Sequence, residues 1–379
     1  MKKNSLFDSF ILGSQQLNNR VIMSPMTRTR SSAGDEPNAL TAKYYGQRAS
    51  AGLIITEAVN IAPHGKGYLW TPGIYTTGQI EGWRHVTDQV HDNGGKIFAQ
   101  IWHVGRMSHV SMMPGGEAPW GVTNEQAVGW DVFAHDEHGK LTFVPASVPR
   151  ELRTDEIPGL VNDFRNAFKN MKEVGFDGVE LHAANGYIFE QFMNATLNTR
   201  TDHYGGQTVG GRLRFTLEVV DAAIEVLGAG NVGVRLSPFG TYNGIPDSDL
   251  MEETYFALIH ELQNRGIGYI HLVYELLPKG NIEQAVFENE TLPVKLLKRT
   301  RDIFKGAIIW CGGFNQEKAQ DALDTGLVDL IAFGRPFIAN PDLVERFRHK
   351  WPIAVADRSA FYTRNGEVGY TDFPFYNAG

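Results

Sequence analysis

One cysteine in 379 residues, Cys311, leaves no partner for an intramolecular disulfide. That excludes a secreted disulfide scaffold and points to a reducing, cytoplasmic setting. Long apolar runs are also missing. Nothing approaches the ~20 apolar residues a membrane helix needs. After Met1-Lys2-Lys3 the stretch Leu6 to Leu12 is broken by Asp8, so neither a signal peptide nor a membrane partner is expected. Basic charge is short as well: 35 Lys+Arg against 43 Asp+Glu give a net charge of −8 and no footprint for nucleic acid. No P-loop occurs, and no histidine or cysteine pattern has zinc-site spacing, so no metal is expected. His103 and His109 flank Arg106 in an ordinary polar pattern. Gly228-Ala229-Gly230-Asn231-Val232-Gly233 matches GxGxxG, but it follows a helical pattern and precedes a strand. A dinucleotide fingerprint needs the opposite order, so a helix C-cap and turn is expected here.

Present instead is a repeated alternation of short apolar runs with amphipathic segments. Eight runs suit buried strands: Val21–Met23, Leu53–Thr56, Lys96–Gln100, Gly178–Leu181, Val232–Leu236, Tyr269–Leu272, Ala307–Trp310 and Leu330–Phe333. Helical patterns follow at about 38–50, 79–93, 154–174, 211–227, 248–264, 291–304, 315–325 and 340–348. Eight such pairs predict a (β/α)8 barrel, taken as one domain over residues 1–379, with active residues at the strand C-termini. The stretch 103–153 is too long for an ordinary βα connection and is read as an excursion over the barrel mouth. Its Gly139-Lys140-Leu141-Thr142-Phe143 suits one half of a hairpin. The first twenty residues suit another hairpin, plugging the barrel bottom. Padding without function is the plain alternative for both.

Chemistry gathers at the strand ends. The fourth run delivers His182, Asn185 and Tyr187, where His182 and Asn185 can donate to one substrate oxygen and Tyr187 can hold a proton nearby. A helix-capping turn with a satisfied histidine is the competing reading. Gly312-Gly313 and Gly334-Arg335 end the seventh and eighth runs, where barrels of this kind bind phosphate through bare backbone N–H groups. Two tight left-handed turns would explain the same glycines. Arg235 lies inside an apolar strand and needs an anionic or strongly accepting partner, in the core or on a cofactor ring. Gln100 could read the hydrogen-bonding edge of such a ring.

In this order the residues resemble the old yellow enzyme family of flavin-dependent ene-reductases. The likeness runs through Asn19-Arg20, Ser24-Pro25-Met26-Thr27-Arg28, Tyr44-Tyr45, Arg48 to Ala58, Gln100-Ile101-Trp102-His103-Val104-Gly105-Arg106 and His182 to Tyr187. It continues in Arg200 to Gly206, Gly334-Arg335 and Ala339-Asn340-Pro341. Thr27 is similar to the branch containing pentaerythritol tetranitrate reductase, N-ethylmaleimide reductase and oxophytodienoate reductase, rather than the branch with cysteine there. One departure is Thr208-Val209-Gly210-Gly211-Arg212, where relatives place an asparagine before the arginine.

The resemblance implies a non-covalent FMN across the barrel mouth. Its phosphate would lie on Gly312, Gly313, Gly334 and Arg335, with Thr27 at O4 and Gln100 at the pyrimidine edge. Pro25, Met26 and Ala58 would line the ring, His182 would reach it, and Arg235 would stabilise the reduced anion near N1. NADPH or NADH would reduce the flavin, which would pass hydride in a ping-pong cycle to an electron-poor alkene bearing a carbonyl or nitro group, with nitrate esters as a further candidate acceptor. His182 and Asn185 would bind the acceptor oxygen, Tyr187 would supply the proton, and Tyr68, Trp102 and Tyr362 would shape the pocket. The expected assembly is a monomer or homodimer. The rival is a non-redox barrel, an aldolase or isomerase for a phosphorylated small molecule, which leaves Gln100 and Arg235 without a task. A flavin-storage or redox-sensing protein is a second rival.

Overall fold

Three- to six-residue strands with both faces buried are stable only if helices cover one face and side chains fill the other. The computed structural model, which describes residues 5–273 and 292–377, solves this with a closed parallel barrel. Its strands are β1 (Val21–Met23), β2 (Leu53–Ile55), β3 (Ile97–Trp102), β4 (Gly178–Ala183), β5 (Val232–Leu236), β6 (Tyr269–Val273), β7 (Ala307–Cys311) and β8 (Leu330–Phe333). The ring closes where Ile331 of β8 pairs with Val21 of β1. All eight predicted strands are present. The major helices are α1 (Ala39–Gly46), α2 (Thr77–Asp92), α3 (Ile157–Glu173), α4 (Val209–Leu227), α5 (Met251–Arg265), α6 (Leu292–Ile303), α7 (Gln316–Asp324) and α8 (Leu343–His349). They follow the predicted ranges within a few residues at each end; position 291, the expected start of the sixth, lies outside the described residues.

Alternation along each strand divides the core. On β4, Val179, Leu181 and Ala183 join an outer core that includes Phe164, Phe168 and Phe215 of the helices. An inner core holds Ile22, Leu53, Ile55, Phe98, Tyr269, Ile309 and Leu330. Leu12 and Leu17 also belong to it. They come from an antiparallel hairpin, Phe10–Leu12 with Gln15–Leu17, so the N-terminal segment does plug the barrel's N-terminal end. Gly13 turns that hairpin at φ 57°, and a Cβ there would lie 1.9 Å from the Gly230 carbonyl oxygen. Only glycine fits so close an approach.

Two sequence features resolve simply. Gly228 closes α4 at φ 81° and a 3₁₀ turn, Ala229–Asn231, leads into β5, so the GxGxxG match is a cap and turn. In the departing loop, the Thr208 side chain accepts from the Gly211 N–H at 3.0 Å, and buried Arg212 donates to the Gly206 carbonyl and to Thr254 Oγ1. A threonine cap closes the loop without the asparagine. Within 103–153, Asp131–His135 pairs with Leu141–Pro145 in a hairpin, and Trp120–Gly121 pairs with Arg150–Glu151. Val104, Met107, Met112 and Val132 of this stretch cluster with Ala58, Trp102 and Tyr187.

Candidate active site

The end of β4 is bent by two consecutive left-handed residues, Asn185 at φ 58° and Gly186 at φ 78°. Asparagine tolerates this region better than most residues, and glycine is required where a Cβ would meet the Tyr242 carbonyl oxygen at 2.4 Å. The turn is held on every side. Asn185 N–H donates to Ser237 Oγ at 2.8 Å, and the Asn185 carbonyl accepts from Asn243 Nδ2 at 2.8 Å. Gly186 N–H donates to the Glu190 carboxylate, which also accepts from Ser237 and Tyr255. Tyr187 then precedes the short helix Ile188–Met193.

Around this turn the aromatic groups converge. Tyr187 meets the Trp102 ring edge-to-face at 4.8 Å and the His182 ring at 4.9 Å. Its hydroxyl lies 3.0 Å from that of Tyr68. Trp102 is oriented by donating its indole N–H to Asn60 Oδ1 at 2.8 Å. Burial pushes the Tyr187 phenol well above its ordinary value, so it keeps its proton at neutral pH. Burial, with Arg235 nearby, drives His182 well below the usual histidine range. A neutral imidazole retains one N–H donor.

These side chains line a cavity of about 480 Å³ at the C-terminal end of the barrel. Its wall includes Pro25, Thr27, Ala58, Gln100, Trp102, His182, Asn185, Tyr187, Arg235, Arg335 and Tyr362. Met26, Tyr68, Gly312, Gly313 and Gly334 lie outside that wall: Tyr68 lies against Tyr187, while the glycines follow neighbouring strands β7 and β8. Gly313 is left-handed at φ 74°.

Beneath the cavity, polar side chains replace the apolar interior. His182, Arg235 and His271 stand side by side on β4, β5 and β6, and Gln100 pairs with Glu180 across β3 and β4. Glu180 accepts from Gln100 Nε2 at 2.8 Å and contacts His271 Nδ1 at 2.8 Å, both ends fully buried. Burial opposes the charge on Glu180, yet His271, Arg235 and Gln100 together hold its carboxyl below the usual range. The Cys311 thiol is lowered to about 7, against the effect of burial, by His271 and Arg235. The buried nitrogens His182 Nδ1 and Arg235 Nε are among those here that make no hydrogen bond within the protein.

A model of the NADH:flavin oxidoreductase / NADH oxidase family matches residues 5–353. The chain belongs to this family, the old yellow enzymes. It is 42% identical over 371 residues to 12-oxophytodienoate reductase 1 of Oryza sativa subsp. japonica, covering 98% of this chain and 93% of that one. It is 40% identical over 370 residues to 12-oxophytodienoate reductase 2 of Arabidopsis thaliana, covering 97% and 95%. Among solved structures, morphinone reductase superposes with a TM-score of 0.94 at 46% identity, covering 100% and 98% of the two chains. A second morphinone reductase structure, in complex with tetrahydroNAD, has a TM-score of 0.92 at 46% identity over 99% of each chain.

The residues of this old yellow enzyme fit a flavin. Three arginines and no carboxylate line the cavity, which suits a ligand bearing a phosphate and a ring that gains negative charge. The orphaned Arg235 Nε supplies a donor for such a ring. Sequence reasoning missed Tyr242, Arg358 and Phe361 of the wall, which sit on loops where no periodicity marks them. It also missed Glu180 and His271. A signal for these existed: each is an ionisable residue on the inward face of an apolar strand, two positions before His182 in the case of Glu180. No group of acidic, histidine and cysteine residues among the described residues forms a metal site, and no described helix is long and apolar enough to cross a membrane.

Proposed function

We propose that this old yellow enzyme is a cytoplasmic FMN-dependent reductase of activated C=C bonds in α,β-unsaturated carbonyl or nitro compounds, using NADPH or NADH. One observation carries the reading: two hydrogen-bonding side chains, His182 and Asn185, and one protonated phenol, Tyr187, share a cavity whose floor presents Gln100 and Arg235. The relatives named as oxophytodienoate and morphinone reductases, one of them holding a nicotinamide analogue, support it. FMN, when bound, supplies the hydride chemistry. Arg335 and the turns at Gly312-Gly313 and Gly334 would hold its phosphate, with Pro25, Met26, Thr27 and Ala58 against the ring.

The chain's own residues then work on the substrate. His182 and Asn185 donate to the carbonyl or nitro oxygen, where negative charge grows as the alkene is reduced, so their bonds strengthen toward the transition state. Tyr187 delivers a proton to the α-carbon and is kept protonated by burial. Trp102, with Tyr68 against Tyr187 and Tyr362 on the wall, shapes the space above, and the 103–153 excursion supports it by packing on Trp102 and Tyr187. The test is direct. The purified protein should be yellow, release FMN on heating, and under anaerobic conditions oxidise NADPH or NADH beyond one equivalent per flavin only when an acceptor such as cyclohexenone is supplied. A colourless protein that FMN cannot reconstitute refutes the flavin. A yellow protein without enone turnover favours flavin storage.

A further inference from the structure

Gln100 lines the cavity with an amide whose two ends are chemically opposite. One of its two Nε2–H donors is committed: it goes to Glu180 Oε1 at 2.8 Å, in a site where Glu180 is wholly buried. The other carboxylate oxygen lies 2.8 Å from His271 Nδ1. An ionised carboxylate can only accept, so the Gln100 amide cannot turn its oxygen toward Glu180 without placing two acceptors in contact. Its Oε1 is therefore turned away from Glu180 and is the acceptor the amide offers the cavity, beside the second Nε2–H. We infer that Glu180, anchored by His271, is a positioning residue that fixes the Gln100 amide with its acceptor toward the ligand, and so selects a cofactor edge that presents an N–H.

The inference rests on the flavin reading above. The pyrimidine edge of an isoalloxazine carries one N–H, at N3, between two carbonyl oxygens. An acceptor from Gln100 matches N3–H, while cationic donors such as Arg235 match the flanking oxygens and N1. Replacing Glu180 by glutamine reverses the logic. His271 Nδ1–H would hold the new amide oxygen, the new NH₂ would face Gln100, and Gln100 would have to turn its own NH₂ toward N3–H. Two donors would then meet in a buried site. Among the described residues, the titratable groups beside this network are Arg235 on β5, Tyr269 and His271 on β6 and Cys311 on β7, and none of them supplies the missing acceptor at Gln100.

The experiment loads the full chain with FMN labelled with ¹⁵N at N3 and records the N3 nitrogen and proton resonances. In the parent, the proton should be protected from solvent and shifted downfield by its bond to Gln100. In Glu180→Gln both resonances should move toward those of free FMN, and FMN should bind about tenfold more weakly, the worth of one hydrogen bond. Gln100→Leu should give the same N3 shift, and Glu180→Gln added to Gln100→Leu should change it no further, because the carboxylate acts through the amide. An N3 signal unchanged in Glu180→Gln holoprotein, or shifted equally with and without Gln100, overturns the inference while leaving the flavin intact. Should Glu180→Gln fail to fold, a parent-like N3 signal in Gln100→Leu overturns it instead. A parent chain that holds no FMN overturns the flavin reading, and this inference with it.

Discussion

Replacing Tyr187 by phenylalanine removes one oxygen atom from a site where the ring is otherwise fixed by its neighbours. The ring contacts with Trp102 at 4.8 Å and His182 at 4.9 Å survive, while the hydroxyl's 3.0 Å bond to Tyr68 and its contact with Asn243 are lost. One such bond contributes about 1 kcal/mol, so the variant should fold and lose little stability. The catalytic loss should be far larger. General-acid catalysis by a positioned group contributes roughly 10²- to 10⁴-fold, equivalent to about 3 to 5 kcal/mol of barrier. Proton delivery belongs to alkene reduction and not to flavin reduction by nicotinamide, so the loss should fall on one half-reaction. Anaerobic stopped-flow measures each half separately: NADPH mixed with oxidised enzyme, then cyclohexenone mixed with reduced enzyme. The first rate should stay within a factor of a few, and the second should fall at least a hundredfold. The parent's second rate should show no loss of the phenol's proton between about pH 6 and 9, because burial raises the Tyr187 phenol well above 10.0. Equal slowing of both halves would refute the proton-donor role. An unchanged enone rate would assign the proton to water.

Three further outcomes follow from the same geometry. His182→Ala and Asn185→Ala should each slow enone reduction by ~10²-fold or more and weaken phenol binding, read from the charge-transfer band; parent-like titrations would remove the donor assignment. Arg235→Ala should lower the flavin midpoint potential, measured by dye-coupled reductive titration, because a cation beside the ring favours the reduced anion; an unchanged potential in FMN-loaded variant would refute it. Burial raises the Glu190 carboxyl from 4.5 to about 7. The folded state therefore holds this proton longer than the unfolded chain does. Its favourable contribution is complete below about pH 4.5 and is lost as pH rises to about 7, an effect of about 3 kcal/mol. Urea unfolding at pH 5 and pH 8 should show Glu190→Gln gaining on the parent at the higher pH, and a pH-independent difference would refute this.

The barrel was legible because its strands are short, apolar and evenly interleaved with amphipathic helices, so periodicity alone located β1 to β8. Arg235 was legible for a related reason: a cation inside an apolar strand demands an explanation. The same reasoning applies to Glu180 and His271, but a carboxylate and an imidazole that satisfy each other look from sequence like two separate oddities, ninety-one positions apart. Glu190 was hidden differently. It lies on a short helix where a glutamate is unremarkable, and only the fold brings Ser237, Tyr255 and the Gly186 N–H onto it. Tyr242, Arg358 and Phe361 belong to loops, whose paths depend on what they pack against and not on any repeat.

Leu12 and Leu17 seal the far end of an interior already filled by Ile22, Leu53, Ile55, Phe98, Ile309 and Leu330, so the cavity above has a solid floor, like a well. On the proposed function, whatever gives up electrons and whatever takes them then use the same doorway and stand on the same spot. Neither can queue behind the other. Order of arrival is then enforced by occupancy alone, and a large excess of acceptor should obstruct its own turnover by shutting out the donor. Kinetically this means parallel double-reciprocal lines with inhibition at high enone concentration, a traffic rule set by a barrel that is packed solid beneath its cavity.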